Sequence, residues 1–185
     1  MKTGFWEDYN GEADWAFLDG NDVDVVCDVN IGDNILHRRY NAYDFLHGCC
    51  TAFAQYLNET YGYDIEIVYQ RYDDEEDSFK TAKVVHAYCI TPEGHYVDIR
   101  GICDNWEEFM QDFIDTGLWD NDDYSFEQTY KEMPKDLKTS PDDSAYKAAI
   151  EMDKEYHGYY SQDIKESTVV KKEYEDETEY DGIEV

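Results

Sequence analysis

Three residue types that together can run acyl transfer stand in order along this 185-residue chain. Cys49 and Cys50 open a stretch of small and apolar residues suited to a helix, His86 lies in a β-rich run, and Asp98 lies in the next one. A cysteine attacks a carbonyl as its thiolate, and the free N–H groups of a helix N-terminus favour that charge. A histidine can take the proton, and a carboxylate on its other ring nitrogen holds the tautomer. Each residue also has an ordinary reading. A cysteine on an apolar helix face is commonly core, a strand histidine is commonly a satisfied polar group, and Asp98 near Arg100 fits a plain surface pair.

The elements that must position these groups are legible by period. Cys50, Phe53, Ala54 and Leu57 fall at i, i+3, i+4 and i+7, one face of a helix, and Gly62 suits its stop. Residues 63–72, 83–90 and 95–99 read as strands, and 22–31 as a further one. Between the second and third lies a Pro92-Glu93-Gly94 loop. With three loop residues and Gly94 left-handed, Thr91 pairs with His95, Tyr88 with Asp98 and His86 with Arg100. His86 and Asp98 are then diagonal neighbours on one face; a two-residue loop would place them on opposite faces. Residues 105–117 read as a helix with Asn105 as N-cap, Glu108 at its third position and Gly117 as stop. Residues 144–160 form a late helix, and 73–78 an acidic loop.

Gly48-Cys49-Cys50-Thr51-Ala52-Phe53 resembles the Gly-Ser-Cys-Trp-Ala-Phe stretch of papain-type cysteine peptidases, with Cys50 at the nucleophile position. His86-Ala87 resembles the His-Ala pair that carries their catalytic histidine. The block from Val84 to Ile102 is similar to the His-strand, turn and Asp-strand of arylamine N-acetyltransferases and transglutaminase-like proteins, where the residue matching Asp98 completes a Cys-His-Asp triad. The segment from Tyr43 to Cys50 and the hairpin from His86 to Gly101 also resemble both halves of small bacterial and phage-borne papain-like proteins. The resemblance covers residues 43–103 and implies a thiol-dependent hydrolase or acyltransferase. At one position the chain departs from the pattern. Six residues before the nucleophile, where papain-type enzymes carry a glutamine that donates into the oxyanion hole, stands Asp44. A donor would have to come from backbone N–H groups, such as that of Cys50, or from another side chain.

Composition bounds the alternatives. Forty-five acidic residues against 15 basic give a net charge of -30. That argues against nucleic acid or an anionic membrane as partner, since phosphate contacts need Lys and Arg, and it favours a basic substrate or protein. Five cysteines, an odd number with two adjacent, fit a reduced, cytoplasmic setting. No apolar run is long enough for a membrane span, and residues 1–10 hold no apolar signal core. Cys49, Cys50, His86, His95 and Cys103 lack the ligand spacings of a zinc site. Residues 19–30 lack the sixth-position Gly and twelfth-position Glu of a calcium loop. No cofactor motif is present, so neither metal nor cofactor is expected.

The expectation is an α+β, papain-like fold with the nucleophile helix packed on an antiparallel sheet. Residues 1–120 form its core domain, 121–162 a helical extension and 163–185 an acidic, disordered tail. The expected function is a cysteine-dependent hydrolase or acyltransferase acting on an amide, peptide or isopeptide bond through Cys50, His86 and Asp98. The alternative is a non-enzymatic acidic binding protein, of the phage-inhibitor or nucleic-acid-mimic kind, on an inactive papain-like shell.

Overall fold

β-Branched and aromatic residues dominate 64–72 and 81–90, and these two runs pair as the centre of an antiparallel sheet. The computed structural model describes residues 1–7, 24–31, 34–72, 81–115, 125–156 and 158–161. The acidic loop at 73–78, Gly117 and the tail at 163–185 lie outside the described residues. The chain begins with a 3-10 turn, Gly4–Glu7, followed by an antiparallel hairpin of β1 (Asp24–Ile31) and β2 (Asn34–Asn41). Then come α1 (Ala42–His47), α2 (Cys50–Tyr61), β3 (Asp64–Tyr72), β4 (Thr81–Ile90), β5 (Tyr96–Asp98), β6 (Gly101–Cys103), α3 (Trp106–Asp115), β7 (Ser125–Tyr130) and α4 (Ser144–Glu155). The main sheet runs β6-β5-β4-β3-β7, with antiparallel neighbours throughout. The class is α+β.

Alternation sorts the sheet into two faces. Ile65, Ile67, Ala87 and Cys89 are buried on the face that meets α2, and the Cys89 thiol donates to the Ala54 carbonyl at 3.2 Å. His86 and Tyr88 point the other way, where Phe109 and Phe113 of α3 pack against them. The helix α2 buries Cys50, Phe53, Ala54 and Leu57 as its period predicts, and it buries Ala52, Gln55 and Tyr56 as well. The second buried flank exists because residues 131–155 fold over it. Gln55 donates to the Thr139 carbonyl at 3.1 Å and accepts from the Thr139 N–H at 2.8 Å. Tyr56 and Tyr61 of α2 donate to the Asp153 carboxylate of α4 at 2.6 and 2.8 Å, while Tyr146 of α4 donates back to Glu59 at 2.6 Å. Residues 121–162, read above as a helical extension, thus supply an edge strand to the sheet and a helix to the packing of α2.

Two turns fix the part of the sheet that matters for chemistry. Cys89 pairs with Val97 and Ile90 with Tyr96, the register that the three-residue loop requires, and Gly94 sits at φ +85°. At the next corner Asp98 pairs with Gly101 across Ile99 and Arg100. Gly101 has φ +108°, and a Cβ there would lie 2.4 Å from the Thr3 carbonyl oxygen. That closeness reflects how residues 1–7 lie along β6: the Thr3 N–H donates to the Ile102 carbonyl at 2.9 Å, and the Ile102 N–H to the Thr3 hydroxyl at 3.0 Å.

Candidate functional site

The stretch from Asn41 to Cys50 sets up the thiol. Asn41 and Asp44 form a reciprocal capping box on α1: the Asn41 side chain accepts from the Asp44 N–H at 3.0 Å, and the Asp44 carboxylate accepts from the Asn41 N–H at 2.9 Å. Asp44, at the position where the resemblance expects an oxyanion donor, therefore caps a helix. Its carbonyl then accepts from the Cys49 N–H at 2.8 Å, which turns the chain into α2 with Cys50 as the first helical residue. The two thiols part company there. Cys49 is half-buried near Asp44, Arg38 and Asp143, whereas the Cys50 sulfur meets the backbone N–H groups of Ala87 and Thr51.

The strand β4 sets up the imidazole. Val68 pairs with His86 but Tyr69 with Val84, so Val85 is an extra residue, a bulge directly before His86. Bulges re-aim the neighbouring side chain. The ring of His86 stacks on Phe113 at 4.2 Å between centroids, and Phe113 in turn packs against His47 of α1 at 6.0 Å. Nε2 of His86 lies 3.0 Å from Asp98 Oδ2. The other nitrogen, Nδ1, is buried without a hydrogen bond of regular geometry, and the Leu46 backbone lies beside the ring.

Asp98 has a second buried partner. Arg100 donates from Nε to Oδ1 at 3.1 Å and from Nη2 to Oδ2 at 2.6 Å, and its backbone N–H reaches Oδ1 at 2.8 Å. Nη2 also donates to the Phe109 carbonyl at 2.9 Å. The guanidinium lies over Trp6 at 4.4 Å and Phe109 at 4.8 Å. The surface pair expected from Asp98 and Arg100 is instead an interior ion pair, because aromatic residues from the N-terminal turn and from α3 cover it.

Cys50, His86, Asp98 and Arg100 keep 7, 0, 3 and 2% of their surface exposed, and this burial governs their protonation. Burial pushes the Cys50 thiol up to about 11, against the pull of the Ala87 and Thr51 N–H groups. Burial also lowers His86, and Arg100 adds to that, while the Asp98 hydrogen bond and the Leu46 backbone oppose it. Burial alone would raise Asp98, yet the Arg100 guanidinium and the His86 hydrogen bond hold its carboxyl down at about 2. The resting site is thus a neutral thiol, a neutral imidazole and a charged Asp98–Arg100 pair. His86 and Asp98 are joined directly; no hydrogen bond joins Cys50 to His86.

Sequence reasoning reads Arg100 only as a surface partner of Asp98, and it misses His47, Phe113 and the Val85 bulge. Of these, Arg100 and Phe113 have a signal: Trp106, Phe109 and Phe113 share one face of a helical period beside a strand that ends in Asp98-Ile99-Arg100. The free thiols described are Cys49, Cys50, Cys89 and Cys103. Among the described residues no group of three or more His, Cys, Asp and Glu side chains is arranged to hold a metal ion, and no helix is long and apolar enough to cross a membrane. No known family, curated protein or solved structure matches the chain.

Proposed function

We propose that this chain is a cysteine-dependent hydrolase or acyltransferase of papain-like fold, acting on an amide, peptide or isopeptide bond. The observation that carries the reading is the His86–Asp98 pair, which leaves Nδ1 buried, without a hydrogen bond of regular geometry, beside a helix that starts with Cys50. With Asp98 accepting from Nε2–H, Nδ1 presents a lone pair and serves as base. In the proposed reaction the Cys50 proton passes to Nδ1 as sulfur bonds to the carbonyl carbon. The oxyanion accepts from backbone N–H groups at the start of α2, the role that Asp44 cannot fill. The imidazolium then protonates the leaving amine, and the thioester is released to water or a second amine with His86 again as base. The acidic balance of the chain favours a substrate with a basic group near the bond that breaks.

A second reading, an acidic binding protein on an inactive shell, draws on the closed burial of Cys50 and His86 and on the missing hydrogen bond between them. One experiment separates the two. The protein is incubated at neutral pH with an activated acyl ester, and the acylated cysteine is mapped by mass spectrometry. The enzyme reading expects a thioester at Cys50 that forms about 100-fold more slowly in His86→Ala. Acylation spread evenly over the thiols, or unaffected by His86→Ala, excludes it.

A further inference from the structure

We propose that Arg100 is a positioning residue that keeps Asp98 charge-paired, and so makes His86 a neutral base instead of half of a resting thiolate–imidazolium pair. The inference deepens the reading of Cys50, His86 and Asp98 given above and rests on it for its meaning in a reaction.

Buried charge sets the protonation of His86. Asp98 carries one negative charge, and Arg100, whose guanidinium does not deprotonate in proteins, matches it with a two-pronged contact at 3.1 and 2.6 Å. A proton on His86 would leave one uncompensated positive charge in an interior that keeps none of the His86 surface exposed. A Cys50 thiolate could compensate it, but no hydrogen bond joins the two side chains, and burial disfavours the thiolate itself. The surroundings offer little else. The groups facing His86 are Asp98 from β5, Arg100 from the β5–β6 turn, His47 and the Leu46 backbone from α1, Tyr88 from its own strand with Glu66 behind it, and the apolar rings of Phe109 and Phe113 from α3. His47 and Arg100 are basic and disfavour a further proton, and the Glu66 carboxylate is engaged by the Tyr88 and Thr129 hydroxyls at 2.7 and 3.0 Å. Arg100 is itself locked by Trp6, Phe109 and the Phe109 carbonyl, so its fork cannot swing off Asp98 without opening the aromatic packing. The consequence for the reaction is that proton transfer from Cys50 to Nδ1 accompanies carbon–sulfur bond formation, with no separated ion pair preceding it.

The test is an NMR titration of the His86 ring carbon and proton shifts in the full-length protein, with the pH dependence of Cys50 alkylation followed alongside. In wild type, His86 stays neutral at neutral pH and titrates below the ordinary histidine value of about 6.5. Arg100→Gln raises the His86 midpoint by about one pH unit or more and moves Cys50 alkylation to lower pH; Arg100→Lys, which keeps the charge, holds His86 low. A His86 midpoint that does not move in Arg100→Gln, or that rises equally in Arg100→Lys, overturns the proposal. If Arg100→Gln does not fold, wild type alone decides: imidazolium shifts for His86 at neutral pH overturn it, and a neutral ring that protonates only below about 6.5 sustains it. Failure of the enzymatic reading looks different, since acylation at Cys50 would then be absent while His86 titrates as expected.

Discussion

At the residue scale, the buried histidine makes the fold sensitive to acid. A histidine lowered in the folded state is protonated more readily when unfolded, so its neutral form stabilises the fold above about pH 6.5, and that stability drains as pH falls below this value. His47, lowered by its own burial and by the nearness of His86 and Arg100, adds in the same direction. Asp98 acts later. Its folded value of about 2 lies below the unfolded one of about 3.8, so its ionised form contributes about 2 kcal/mol above pH 4, lost as pH drops toward 2. Melting temperatures should therefore fall from about pH 6.5 downward and more steeply below about pH 4. His86→Phe, which removes the titrating ring and keeps an aromatic against Phe113, should flatten the upper part of that slope; an unchanged slope would assign the acid sensitivity to other groups. Removing Asp98 is the harsher change. Asp98→Asn strands the Arg100 charge in the interior and should cost about 3–5 kcal/mol in chemical denaturation. The meeting of His86 with Asp98 is legible in the sequence, since one loop length settles which face Asp98 takes. The fate of Arg100 is not: whether a charged strand end lies in water or under Trp6 depends on contacts between residues 94 positions apart, on which spacing is silent.

At the scale of elements, the site depends on parity. Inserting one residue into the Pro92–Gly94 loop shifts β5 by one position, so Asp98 moves to the α2 face and Val97 to the face of His86. Such an insertion should break the 3.0 Å His86–Asp98 contact, seen as loss of the low-field Nε2 proton signal, and lower stability by more than the cost of a longer loop. The same logic shows what periodicity misses. The apolar repeat places the helix α2, down to the Gly62 stop, whose N–H bonds to the Asn58 carbonyl at 2.9 Å. Its second flank is invisible to that repeat, because Gln55 and Tyr56 read as solvent-facing and become interior through partners at Thr139 and Asp153, with Glu59 at the rim accepting from Tyr146. Tyr56→Phe tests this seam. It removes one of two hydroxyls from a carboxylate that keeps Tyr61, so a loss of about 1–2 kcal/mol is expected in urea unfolding. The α1 helix escapes a reading by period because six residues are too few to show one; its one signature is the Asn41-x-x-Asp44 cap.

At the scale of the whole molecule, charge and connectivity set the behaviour. A net charge of -30 repels itself most in the folded state, where the acidic groups are closest. Added salt screens that repulsion, so the melting temperature should rise between about 0.05 and about 0.5 M sodium chloride, the reverse of what a fold held by surface ion pairs would show. The described ion pairs agree with this balance, since the buried Asp98–Arg100 pair is shielded from solvent while Lys131–Asp64 and Lys154–Glu151 are solvent-facing.

The Thr3 hydroxyl, which accepts from the Ile102 N–H and donates to the Tyr159 carbonyl at 2.5 Å, ties together residues 156 positions apart in the chain. During synthesis residues 1–7 leave the ribosome long before the partners that hold them exist. Trp6 waits for Arg100, and Thr3 waits for Tyr159, so the wall behind His86 and Asp98 closes only after the chain has passed Tyr159. Until then the nascent protein carries Cys50, Cys89 and Cys103 without the full enclosure that later buries them. A cell making it would meet these thiols at their most exposed before the fold, not after.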